Sequence, residues 1–289
     1  MALYRLEELF PDQLQARLEA CPMLILPMGT IEWHSYHLPL GLDVLVAQAI
    51  GEAVSRPSEA VLAPVSYWAV GGVPYPFTLN LAIEQIEPLL IASFEQFGAM
   101  GFRVIVAFTG HFGLDHTLTL KRAALTVMQR SPVTILPLTE YDLVTDIYQG
   151  DHAGIGETSL LWSLRPDLIR LDHVPAHQPL DGVIGADPRG KASAEKGREL
   201  LQTIATRTSE VALRLLRQTS PLQRSDFIEA VRAGVAVLAK TSQQRQILPK
   251  KEVPSITTPA YLAYCQALYS GEYWAAKAHA ERKLANLSE

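Results

Sequence analysis

Met23-Leu-Ile-Leu-Pro-Met-Gly-Thr-Ile-Glu-Trp-His-Ser-Tyr-His-Leu-Pro-Leu-Gly-Leu-Asp43 begins as a short apolar run and ends as a loop dense in titratable groups. The run has the pattern of a buried strand, and Pro27 and Gly29 are expected to break it. Directly beyond stand Glu32, His34, His37 and Asp43. Ligand sites form at strand ends in open α/β sheets, because the sheet holds the loops while leaving them open to solvent. Residues two apart in extended chain point to one side, so Glu32 and His34 can converge. Asp43 returns after a turn built from Pro39 and Gly41. The stretch predicts a core strand with a metal or proton-handling site at its end.

Arg103-Val-Ile-Val-Ala-Phe108 is a clearer strand, β-branched and continuous, and it ends in Thr109-Gly110-His111-Phe112-Gly113. Strands are also predicted at Val61–Val65 and Val133–Leu138, with helices over Val44–Val54, Ile83–Met100 and Thr117–Gln129. This alternation predicts βαβ units and a mostly parallel sheet, the α/β class. A further loop carries Asp151, His152 and Glu157 into a helix at Thr158–Leu164. An amphipathic helix is expected over residues 3–20, a surface loop over Pro175–Gly190 and a long helix over Ala192–Leu216. Beyond Pro221, helices are expected over Asp226–Lys240 and from Pro259 to about Leu287, joined by a polar linker with Pro249 and Pro254. The chain thus divides into a domain over residues 1–220 and a helical extension over 221–289.

At 289 residues the chain can bury a large core. Its formal charge of −5 argues against a general nucleic-acid binder, which carries a basic footprint. No apolar run approaches bilayer-spanning length, and the first residues lack the basic-then-apolar layout of a secretion signal. The two cysteines, Cys21 and Cys265, have no CxxC spacing and read as reduced thiols, so a cytoplasmic protein is expected.

Three loops therefore offer acids and imidazoles: Glu32, His34, His37 and Asp43; His111; and Asp151, His152 and Glu157. Mixed carboxylate and imidazole ligands suit zinc, manganese or iron rather than calcium or magnesium. Five ligands with one bridging carboxylate can hold two ions roughly 3.5–4 Å apart. His116, one turn into a helix, reads as structural, and His173, His177 and His279 as surface groups. Tyr67, Trp68, Tyr75, Phe77 and Tyr148 are candidate pocket walls or core packing.

Glu32-x-His34-x-x-His37-Leu38-Pro39-x-Gly41-x-Asp43 resembles the first motif of the creatininase (creatinine amidohydrolase) family. Thr109-Gly110-His111-Phe112-Gly113 looks like that family's Asn-Gly-His-Gly-Gly-Asn segment. Asp151-His152-Ala153-Gly154-x-x-Glu157-Thr158-Ser159 resembles its His-Ala-Gly-x-x-Glu-Thr-Ser segment, and Gly182 to Pro188 with Glu195-Lys196-Gly197 its closing motif. The resemblance covers about residues 20–215. It implies a Rossmann-like three-layer α/β/α fold, a dinuclear centre of divalent ions (zinc, with manganese or iron as alternatives), hydrolysis of non-peptide C–N bonds in a small amide substrate, and a homo-oligomer, often a hexamer. Carried over, Glu32, His34, Asp43, His111 and Glu157 become the metal ligands, with Asp43 the bridge. His152 becomes the proton-handling group and Asp151 its neighbour, and His37 a group steadying the site through a carboxylate or carbonyl.

The chain departs from the pattern at Ser35 and Phe112, where the family has glycine, and at Thr109 and Asp115, where it has asparagine. Gly113 replaces the glutamate of creatininase itself, which shifts the expected substrate away from creatinine. The extension falls outside the resemblance. The expected activity is hydrolysis of an amide, cyclic amide or formamide by a metal-activated water. The alternative is an inactive relative that binds a small ligand or partner.

Overall fold

The computed structural model describes residues 2–174, 180–218, 220–247 and 258–287. Its centre is a five-stranded sheet of β1 (Tyr4–Arg5), β2 (Met23–Met28), β3 (Val61–Leu62), β4 (Val104–Thr109) and β5 (Thr134–Thr139). The spatial order is β1-β3-β2-β4-β5 and every pairing is parallel. All residues of β2, β4 and β5 are buried. Continuous apolar runs of this kind are what a parallel sheet covered on both faces requires.

One face carries α2 (Leu42–Ser58), α5 (Ile155–Leu164) and α6 (Ala194–Arg217). The other carries α3 (Ile83–Ala99) and α4 (Leu114–Arg130), and α7 (Pro221–Ile247) packs against α4. From β2 the chain crosses to β3 on one side and later returns to β4 on the other. The carboxyl ends of β2 and β4 therefore flank the point where the winding reverses, the crevice in which α/β sheets bind ligands.

The expected strands and helices are present, with four corrections. β2 runs through Pro27 to Met28. The Pro27 carbonyl accepts from Ser66 N on the β3 side, so the missing proline N–H faces the side where β3 has already ended. Residues 3–20 are not one helix: Tyr4–Arg5 forms an edge strand on β3, and only α1 (Pro11–Ala20) is α-helical. The predicted helix after Pro259 is two, α8 (Pro259–Ser270) and α9 (Tyr273–Asn286), because Gly271 at φ 95° ends the first. α7 is far longer than expected and starts at Pro221. Pro249, Pro254 and His177 lie outside the described residues.

The extension shares the main core. Phe227, Val231, Tyr261 and Tyr264 are buried in the same apolar cluster as the strands. Both cysteines are free and buried. Among the described residues no helix is long and apolar enough to cross a membrane.

Candidate metal centre

Two glycines shape the crevice. A methyl group built on Gly29, just past β2, would fall 2.5 Å from Val44 N, and one on Gly110, just past β4, 2.5 Å from the Asp43 carbonyl oxygen. Only glycine allows both strand ends to approach the start of α2. That contact brings Asp43 between the two site loops. Ser35 adopts φ 59°, which explains the glycine expected there from the resemblance; a residue with a Cβ pays about 1–2 kcal/mol for this conformation.

The five predicted ligands converge and each is at most 5 % exposed. His34 Nε2 lies 3.0 Å from Asp43 Oδ1 and 3.6 Å from Glu157 Oε2. His111 Nδ1 lies 2.9 Å from Glu32 Oε2 and 3.3 Å from Asp43 Oδ2. Two triads with donor atoms within 4.8 Å result, Glu32–Asp43–His111 and His34–Asp43–Glu157, with Asp43 common to both. Glu32, His34 and His152 also cluster.

Backbone groups set which ring nitrogens face the acids. His34 Nδ1 donates to the Glu32 carbonyl at 3.0 Å and His111 Nε2 to the Val70 carbonyl at 3.2 Å. The opposite nitrogens, His34 Nε2 and His111 Nδ1, point at carboxylates. His34 Nε2 and both oxygens of Asp43 are buried and face only each other and the neighbouring acids and imidazoles of the cluster. Outward N–H groups tied to carbonyls are the arrangement that orients imidazoles toward a metal. The residues fit the binding of divalent metal.

The electrostatics agree. Burial disfavours the His111 imidazolium, but Asp43 and Glu32 outweigh it and push its pKa up to about 10. His34 is likewise raised against its burial, chiefly by Asp43. Asp43 is lowered despite burial because His34 and His111 flank it. Glu157 is raised well above the carboxylate range by burial, with Glu140, Asp151 and Asp43 adding repulsion. Without cations the site thus holds protons in the positions of positive charge.

His152 sits beside this group, its ring stacked 4.3 Å from His34. Its Nε2 donates to the Trp33 carbonyl at 2.9 Å, and its Nδ1 lies 4.0 Å from Glu32 Oε1. Burial, with His34 nearby, lowers its pKa to about 4, so it is neutral. Asp151 is in none of the donor clusters among the described residues: its oxygens accept from Gly156 N (2.7 Å) and Glu157 N (3.1 Å), holding the first turn of α5 and with it Glu157. His37 Nε2 pairs with the Thr158 hydroxyl at 3.0 Å, next to Glu157, and the Ala153 backbone also acts on its ring. His116 accepts from Val70 N and is structural. His173 is exposed.

Some contributors went unpredicted. The Val70 peptide ties His111 to His116, and nothing in a valine signals that role. Glu140, directly after β5, is fully buried; Oε1 accepts from Tyr148 at 2.8 Å and Oε2 has no partner. Its position at a strand end was a readable signal. Tyr148 lies beneath the site, bonded to Glu140 and Asp151. Tyr67, Trp68 and Phe77 are exposed and Tyr75 stacks on Trp33 at 3.8 Å; none of the four lines the cavity over the centre.

The departures from the motif leave the ligand set intact. Thr109 Oγ1 donates to the His111 carbonyl and accepts from its N–H, bracing the turn. Phe112 packs edge-on to Tyr141 at 5.3 Å and forms cavity wall.

Fold and site together define a parallel-sheet α/β protein with a buried carboxylate–imidazole cluster at the sheet's switch point. The family model described as creatinine amidohydrolase matches residues 7–212, and the chain belongs to that creatininase family. Its class is that of a hydrolase acting on carbon–nitrogen bonds other than peptide bonds. Creatinine amidohydrolase of Pseudomonas putida is 28% identical over 183 residues, covering 54% of this chain and 70% of that protein. The 3-dehydro-scyllo-inosose hydrolase of Thermotoga maritima is 24% identical over 303 residues, covering 91% and 95%. A crystal structure of creatinine amidohydrolase superposes with TM-score 0.66 at 20% identity, covering 76% of this chain and all of that one. Similar folds include a manganese creatininase and a Zn–Zn form of a creatininase variant.

Proposed function

We propose that this protein is a dinuclear-metal amidohydrolase acting on a small amide, cyclic amide or formamide. Glu32, Asp43 and His111 would hold one divalent cation, and His34, Asp43 and Glu157 a second. Zinc is the first choice and manganese or iron the alternatives, given mixed oxygen and nitrogen donors. The observation that carries the reading is Asp43 itself: its two buried oxygens each face a different imidazole, at 3.0 and 3.3 Å. When bound, such a pair of ions polarises a carbonyl and lets water attack near neutral pH.

The side chains supply the rest. His34 and His111 present lone pairs because backbone carbonyls fix their outer N–H groups. His152 is neutral, with Nδ1 aimed toward Glu32, so it can take a proton from the attacking water and return it to the leaving nitrogen. Asp151 positions Glu157 by holding α5. The same reading includes a homo-oligomer, checked by light scattering.

Elemental analysis of wild type beside Asp43→Ala, with a hydrolysis screen of cyclic amides and formamides, is the test. About two metal equivalents, largely lost in the variant, together with turnover, support the proposal. No metal after incubation with zinc and manganese would sink it and promote the inactive binding protein.

A further inference from the structure

The cavity above the centre has a volume of about 530 Å³, and its ionisable walls include Glu32, Asp115, Asp151 and Glu157. One arginine also lines it, Arg245, near the end of α7. Arg245 lies outside residues 7–212, the part that matches the family model, so the extension contributes to the cavity that the core builds. Its placement has a local cause. Ser242 Oγ donates to Asp115 Oδ1 at 2.7 Å, pinning α7 to the first turn of α4. Residues three apart on a helix share a face, so fixing Ser242 there turns Arg245 toward the same cavity.

Among the described residues nothing claims its charge. Arg245 makes no ion pair with any described carboxylate. Two of the wall acids are engaged elsewhere, Asp115 with Ser242 and Asp151 with the amides of α5. A guanidinium presents a planar fork of donors matched to a carboxylate. A phosphate dianion suits this wall less, since Asp115 and Asp151 repel the second charge.

We propose that Arg245 forms a carboxylate subsite at the rim of the cavity, so that the substrate is an amide carrying a free carboxylate away from the bond to be cleaved. This rests on the hydrolase reading of the centre. Arg245 is a specificity residue: it touches the far end of the substrate and leaves the metal ligands untouched.

The test uses full-length protein loaded with manganese, its metal content measured first. N-acetylglycine and N-acetylglycinamide are then titrated calorimetrically into wild type, Arg245→Ala and Arg245→Lys. Wild type is expected to bind the acid about tenfold more tightly than the amide, the scale of one charge-assisted hydrogen-bonded contact. Arg245→Ala should erase that preference with metal content unchanged, and Arg245→Lys should keep part of it. Equal binding of the two probes, binding of neither, or a preference that survives in Arg245→Ala would overturn the subsite while the metal centre stands. Failure to load metal removes the hydrolase reading and the subsite with it.

Discussion

Gly110 lies against the backbone of Asp43, so close that a Cβ placed on it would sit 2.5 Å from the Asp43 carbonyl oxygen. The strand end thereby sets the position of the residue shared by both triads. Gly110→Ala is expected to push the start of α2 outward, cost about 1–3 kcal/mol as other overpacked sites do, and lower metal content below half of wild type. Gly98→Ala is the control, since its Cβ meets only the Val133 side chain at 3.5 Å or more. Metal analysis and denaturant titration of the two variants decide the point. Full metal content in Gly110→Ala would mean that Asp43 is not placed by this contact.

Metal loading should release protons. Without cations His111 carries a proton up to a pH of about 10, and Glu157 is held protonated well above the carboxylate range. A cation needs the unprotonated form of both. At least one proton, that of His111, should leave per protein at pH 7.5. Calorimetric titration with zinc in buffers of different ionisation enthalpy counts them, and a buffer-independent heat would contradict the assignment of His111.

His116 gives a pH dependence of defined sign. Burial, with His111 nearby, lowers its pKa to about 3, whereas an unfolded histidine titrates near 6.5. Between those values the unfolded chain holds the extra proton, so this group's contribution to stability falls as pH falls, by up to about 1.4 kcal/mol per pH unit. His116→Asn removes the dependence. The difference in melting temperature between metal-free variant and wild type should shift in the variant's favour from pH 6.5 to 4. A constant difference would show that His116 takes up its proton in the folded state.

The central strands and the acid- and imidazole-bearing loops at their ends were legible because each signal was local. Val104 to Thr109 is a continuous β-branched run, and His111 follows its end directly. The hold of Asp151 on the first turn of α5 was not legible, because accepting from backbone amides five and six residues on leaves no distinguishing local pattern. The edge strand Tyr4–Arg5 is two residues long and exists only through pairing with β3, so no periodicity could reveal it. Arg245 had no signal at all, because its place depends on a contact between Ser242 and Asp115, 127 positions apart.

The extension provides the last test. Arg224 Nη2 donates to the carbonyls of Met128 (3.0 Å), Ser131 (2.8 Å) and Val133 (2.8 Å), closing the end of α4 and the entry to β5. Carbonyls at a helix end need such donors, and hydrogen bonds to a charged group contribute about 1.5–3 kcal/mol. Arg224→Ala should therefore destabilise the whole protein by about 2 kcal/mol, in one cooperative transition. Lysine, with a single ammonium in place of the fork, should recover less than half. Urea denaturation followed by tryptophan fluorescence and by circular dichroism measures both. If the extension were a separate unit, the variant would show two transitions, with the core's midpoint unmoved. A single shifted transition would mean that α7 is part of the structure holding β4, β5 and the His111 loop in place.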